Sequence, residues 1–135
     1  MESIWYEGDI GNDEHYNWTR YYALNLHSVF YRGTVEWRCF NSTLHAGRAA
    51  AYVNLCLAIS AQAIAQRSTV MRKTRSDNEL FTFRVWLVRL GLNGDEFKHT
   101  RDHLLANLEG DRAWRYDKDS YAVNRKKKKQ REAER

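Results

Sequence analysis

Residues 20–63 read RYYALNLHSVFYRGTVEWRCFNSTLHAGRAAAYVNLCLAISAQA, and a change of periodicity inside this stretch decides the fold. Residues 22–30 set Leu24, Leu26 and Val29 among polar neighbours, and residues 34–40 are rich in β-branched and aromatic types, so both predict strands. Tyr31, Arg32 and Gly33 between them are few enough for a hairpin turn, with Gly33 at the position of special backbone conformation, which predicts antiparallel pairing. After Asn41 the pattern turns helical. Residues 46–67 are strong helix formers, apolar on nearly every side, with an expected core stripe of Tyr52, Val53, Cys56, Ile59, Ala63 and Ile64.

Outward from this stretch, residues 1–19 are polar and aromatic without clear period and predict an irregular lead-in. Downstream, Ser76 followed by Glu79 forms a capping box for a helix reaching Leu90, with Leu80, Phe83, Leu87 and Leu90 on its apolar side and Gly91 to stop it. Asn93 with Glu96 predicts the start of a third helix, lined by Phe97, Leu104, Leu105 and Leu108 and ended by Gly110. The fold class expected is α+β: an antiparallel β-hairpin, the remnant of a larger sheet, packed against three α-helices. The domain spans residues 1–119, followed by a basic tail over 120–135.

The charge of the chain is local. The formal net charge is +5, and residues 125–135, with seven Lys or Arg against two Glu, carry that whole excess. The body of the chain is therefore neutral, which removes the case for a basic nucleic-acid groove there and confines nucleic-acid binding to the tail. Few apolar groups and a block of like charge predict a disordered tail, either a weak nucleic-acid contact or a solvated end. Cys39 and Cys56 are the two cysteines, too few for a disulfide framework. The uncharged run 49–65 is shorter than the roughly 20 residues of a membrane span and contains Asn54, Ser60 and Gln62, so it reads as a buried helix of a soluble, cytoplasmic protein.

Chemistry is carried by the second strand. Alternation puts Thr34, Glu36, Arg38 and Phe40 on one face and Val35, Trp37 and Cys39 on the other, the latter an apolar surface suited to lie under the central helix. A carboxylate two residues from a guanidinium can pair a hard cation with an anion clamp, which suits phosphoryl chemistry because negative charge accumulates on the group in transfer. The plain alternative is a solvated face or a cross-strand ion pair.

The longer context narrows this choice. Arg20, Tyr21, Leu24, Asn25 and Leu26, then Thr34, Val35, Glu36, Arg38, Phe40 and Asn41, then Thr43, Leu44, His45, Ala46 and Gly47 follow an R-Y-x-x-L-N-L, T-[VI]-E-x-R-x-F-N, T-L-H-A-G pattern. In this the chain resembles the amidoligase family, whose fold is of the glutamine synthetase and glutamate–cysteine ligase type. Residues 78–104 also look like the family's distal helical region. The departures are small, Trp37 where Phe is commoner and Ser42 where Gly is frequent.

The resemblance implies an ATP- and magnesium-dependent carboxylate–amine ligase that forms an amide through an acyl phosphate. It implies Glu36 as a metal ligand, and Arg38 and then Arg20 as catalytic contacts to phosphate or substrate carboxylate. Asn25, Asn41, Thr43 and His45 follow as cofactor-binding positions. Against these stand plainer readings: a strand-end cation for Arg20, a turn-bonding amide for Asn25, and helix capping for Asn41 and Thr43. The resemblance further implies that this chain corresponds to the carboxy-terminal half of such a domain. The E-x-E strand with the remaining metal-binding carboxylates would then either be lost by truncation or come from a separate chain. Apolar surface left uncovered by that half predicts self-association. The competing class is a non-catalytic scaffold that keeps the fold without the activity.

Overall fold

The computed structural model describes residues 2–8, 16–116 and 118–133. The chain divides into two compact units, residues 1–43 and 44–135, each built around its own contacts.

The first unit holds helix α1 (Glu2–Trp5), a 3-10 turn (Trp18–Tyr21), strand β1 (Leu24–Asn25), helix α2 (His27–Arg32) and strand β2 (Glu36–Trp37). The two strands pair antiparallel, Leu24 opposite Trp37 and Asn25 opposite Glu36. An Arg38 N–H to Ala23 C=O bond of 2.7 Å extends the ladder by one step. The α+β class and the antiparallel pairing are as the sequence predicts. The connection is not: the second half of the expected first strand, residues 27–30, and the expected turn together form α2. Leu26, Val29 and Phe30 stand at helical spacings of three and four, and this period wins over the looser alternation. Gly33 does take the left-handed conformation (φ 70°), but as the cap of α2. Its N–H closes the last turn on the Val29 carbonyl.

The expected irregular lead-in contains α1 and the 3-10 turn, and residues 9–15 within it lie outside the described residues. Asn17 and Thr19 are buried here, and Asn17 Oδ1 accepts from both the Thr19 N–H (2.9 Å) and its hydroxyl (2.7 Å), which caps the turn. The Trp5 indole donates to Thr19 Oγ1 at 3.0 Å, tying α1 to the turn.

The second unit is helical: α3 (Ala46–Ala65), α4 (Glu79–Arg89), α5 (Lys98–Leu105) and α6 (Lys118–Ala133). Helix α3 packs chiefly on α5, where Asn54 Nδ2 donates to Thr100 Oγ1 at 2.9 Å. The core of the unit gathers Ala51, Leu55, Leu80, Leu87, Leu92 and Leu105. The stripe expected on α3 is shifted by one position. Ala51 and Leu55 are buried and Tyr52, Cys56 and Ile59 half-buried, while Val53, Ala63 and Ile64 are exposed. A helix apolar on all sides offers several equivalent stripes, so its neighbour chooses. Much of α3 is open rather than buried, and by length and composition alone it is apolar enough to cross a membrane.

Helix α4 starts two residues later than the predicted capping box. Asn78, not Ser76, is the cap, its Oδ1 accepting from the Phe81 N–H at 2.9 Å. The Ser76 hydroxyl instead bonds the Asn78 carbonyl and Thr82 Oγ1. Gly91 (φ 90°) ends the helix as expected. Helix α5 has no side-chain cap. Arg101 instead closes the loop before it, donating to the carbonyls of Leu92 and Gly94 at 2.9 Å each. The basic segment expected to be disordered is the helix α6. Lys, Arg, Gln, Glu and Ala all rank high in helix propensity, and this outweighs the poverty of apolar groups.

Candidate functional site

The register of the two-residue ladder builds the site. Because Asn25 lies directly opposite Glu36, their side chains meet on one face, and Asn25 Nδ2 donates to Glu36 Oε2 at 2.6 Å. Two residues along the chain from Glu36, Arg38 returns to that face and its Nη1 donates to Glu36 Oε1 at 3.1 Å. Acid and guanidinium therefore share one side, as the alternation of β2 requires. The opposite face is less covered than expected: Val35 is 51% exposed, Cys39 is exposed and Trp37 half-buried.

The arginines are held by aromatic rings. Arg38 lies over Tyr21 at 5.5 Å from the ring centroid, and Arg20 lies over both Tyr16 (5.3 Å) and Tyr21 (5.7 Å). Tyr21 thus sits between two guanidiniums and limits their freedom. The Asn25 hydrogen bond holds the Glu36 carboxyl below its ordinary range; partial burial works against it, and Arg38 and then Arg20 add to the lowering. Glu36 is a carboxylate at neutral pH.

These groups border an open concavity of about 500 Å³ whose lining includes Arg20, Asn25, His27, Ser28, Arg32 and Glu36. The lining is mostly polar and carries both signs of charge, which suits an anionic or zwitterionic small molecule. A second hollow of the same size lies between α4 and α5 in the other unit, lined by Phe83, Trp86, Leu104 and Leu108. It is mainly apolar, with Glu79 its one charged residue, so opposite charges are paired only in the first.

The remaining candidate positions fall elsewhere. Asn41 and Thr43 lie in the irregular segment after β2, Asn41 exposed and Thr43 half-buried. His45 belongs to the second unit and is the cap of α3: its Nδ1 accepts from the Arg48 N–H at 3.3 Å. Capping at this junction is thus done by His45 rather than by Asn41 or Thr43. The His45 ring meets that of His103 edge-on at 5.0 Å. Gly47 is what admits His103, since a Cβ there would stand 2.5 Å from its Nε2.

Sequence reasoning sets His27 aside. It is 3% exposed, its Nδ1 is hydrogen-bonded to the Tyr6 hydroxyl, and its ring stacks on Tyr31. Its place two residues from Asn25 suggested a shared strand face, but His27 opens α2 instead, and its burial depends on residues distant in the chain. A lone histidine is more often structural than functional, and that base expectation hid it.

A divalent cation is less well served. Among the described residues no three His, Cys, Asp or Glu side chains come together. Both oxygens of Glu36 are already engaged, and Mg²⁺ held by one carboxylate keeps most of its water and is poorly fixed. The described residues alone do not make a magnesium centre.

No curated protein and no solved structure matches the chain. Residues 78–104, which also resemble the family, lie outside the segment that a family model matches. Residues 1–60 match the family described as "putative amidoligase enzyme", and it is to this family that the segment carrying Arg20, Asn25, Glu36 and Arg38 is similar.

Proposed function

We propose that the first unit supplies the anion-binding part of a carboxylate–amine ligase site, and that the observation carrying this reading is the shared face of Glu36 and Arg38 beside Arg20 and Asn25. In the reaction, a carboxylate oxygen attacks the γ-phosphorus of ATP and ADP leaves; an amine then attacks the acyl carbon, phosphate leaves with the C–O bond pair, and the nitrogen gives up a proton to the departing phosphate or to water, leaving an amide. This chain's part is electrostatic. Arg38 and Arg20, immobilised on Tyr21, neutralise the charge that grows on the phosphoryl or carboxylate oxygens. Glu36 holds Arg38 in place until the anion arrives, and Asn25 fixes Glu36. Any metal needs oxygen ligands beyond the described residues, which a separate chain carrying further carboxylates would supply. The neutral body and the helical basic segment leave nucleic acid a place only at residues 125–135.

The absence of a three-ligand cluster among the described residues favours a second reading, a scaffold that binds the anion without turning it over. One experiment separates the two. Nucleotide binding and hydrolysis are measured on the full chain with magnesium, alongside inorganic phosphate binding, for the parent, Glu36→Gln and Arg38→Ala. Ligase chemistry requires nucleotide turnover that both substitutions abolish. Phosphate binding weakened about tenfold or more by Arg38→Ala, without turnover, supports the scaffold. Anion binding indifferent to Arg38 and Arg20 removes both readings.

A further inference from the structure

Two buried polar atoms in the first unit have no hydrogen-bond partner among the described residues: Asn25 Oδ1 and His27 Nε2. Both residues are nearly sealed, at 2% and 3% exposure, and both line the same concavity. Most buried side-chain polar atoms are satisfied, so two orphans on residues that line one hollow mark a place where something else bonds to them. Every other polar atom of the two side chains is in use. Asn25 Nδ2 donates to Glu36 Oε2 and to Ser28 Oγ (3.0 Å), and His27 Nδ1 is bonded to the Tyr6 hydroxyl.

The chemistry of each orphan selects its partner. An amide oxygen only accepts, so Asn25 Oδ1 needs a donor, and beside it lies the charged Glu36 carboxylate, which favours a donor that is cationic. His27 faces a lining that includes Arg20 and Arg32, where a ligand oxygen is favoured and a ligand donor repelled. The tautomer in which the Tyr6 phenol donates to Nδ1 carries its proton on Nε2 and offers an N–H to that oxygen.

We propose that Asn25 and His27 are a two-point contact for a ligand carrying an amine nitrogen close to an oxyanion, the nitrogen on Asn25 Oδ1 and the oxygen on His27 Nε2–H. This rests on the ligase reading, to which it adds the seat of the amine-bearing reactant. It also gives Tyr6, a residue outside the charged cluster, the task of fixing the tautomer of His27.

The probe is glycine, which carries ammonium and carboxylate in one small molecule, with acetate and methylammonium as one-ended controls. They are titrated into the full chain labelled with ¹⁵N while the imidazole nitrogens are followed by NMR. Glycine is expected to move the Nε2 resonance of His27 at concentrations where neither control does. His27→Asn, which keeps a bond to Tyr6 but has nothing at Nε2, is expected to weaken glycine binding about 3- to 10-fold, the worth of one hydrogen bond. His27→Gln, whose amide reaches the Nε2 position, is expected to retain it. An Nε2 resonance unmoved by glycine and in exchange with water shows that solvent satisfies the His27 orphan and overturns the proposal. So does glycine binding that shifts Arg20 or Arg38 but leaves His27 alone. Failure here with Arg38-dependent phosphate binding intact removes only the amine seat. Glycine contact at His27 in a chain without Arg38-dependent anion binding removes the ligase reading and leaves the two-point contact standing.

Discussion

Glu36→Gln tests the electrostatic core of the site through stability alone, with no ligand needed. Gln has the size of Glu but one acceptor oxygen in place of two, so it cannot receive both Asn25 Nδ2 and Arg38 Nη1 as Glu36 does at 2.6 and 3.1 Å. A hydrogen bond to a charged group contributes about 1.5–3 kcal/mol when sheltered. The Glu36 side chain is 47% exposed, and solvent screening reduces that to about 1 kcal/mol, with the ion pair to Arg38 adding at most a few tenths. In urea at pH 7 a loss of about 1 kcal/mol lowers the unfolding midpoint by roughly 0.5–1 M, as fluorescence would read it.

The pH dependence supplies the sign. The folded-state carboxyl of Glu36 is held below its unfolded value, chiefly by Asn25, so the unfolded chain binds the proton more readily. Its stabilisation is complete above the ordinary glutamate range near pH 4.3 and is lost as pH falls through the lower native value. The gap between parent and Glu36→Gln should therefore be widest at neutral pH and close in acid. A gap that stays constant with pH, or none at pH 7, would refute the assigned network.

The remaining expectations concern the second unit. Leu87, fully buried at 0% exposure on α4, should cost about 2–5 kcal/mol as Leu87→Ala, read as an early loss of helical circular dichroism on heating; a cost below 1 kcal/mol would mean the core is not centred there. The open side of α3, with Val53 57%, Leu57 63% and Ile64 88% exposed, should drive concentration-dependent self-association in sedimentation, relieved by Leu57→Glu. A parent that sediments as a monomer at all concentrations contradicts this.

What the sequence settled was local chemistry and period. The alternation of residues 34–40 was enough to place Glu36 and Arg38 on one side, because a strand has only two faces. The helix formers of residues 46–65 and the left-handed Gly91 stop were equally plain, since both follow from single-residue backbone preferences. Tertiary structure decided what depends on partners from elsewhere in the chain. Residues 27–32 became helical because Leu26, Val29 and Phe30 had a second period that short-range alternation masked. The buried side of α3 was chosen by its contact with α5, which no stripe on a uniformly apolar helix could specify. His27 gained its interest only when Tyr6, twenty-one residues away, took one ring nitrogen and burial left the other without a partner, a matter of distance in space that no spacing along the chain encodes.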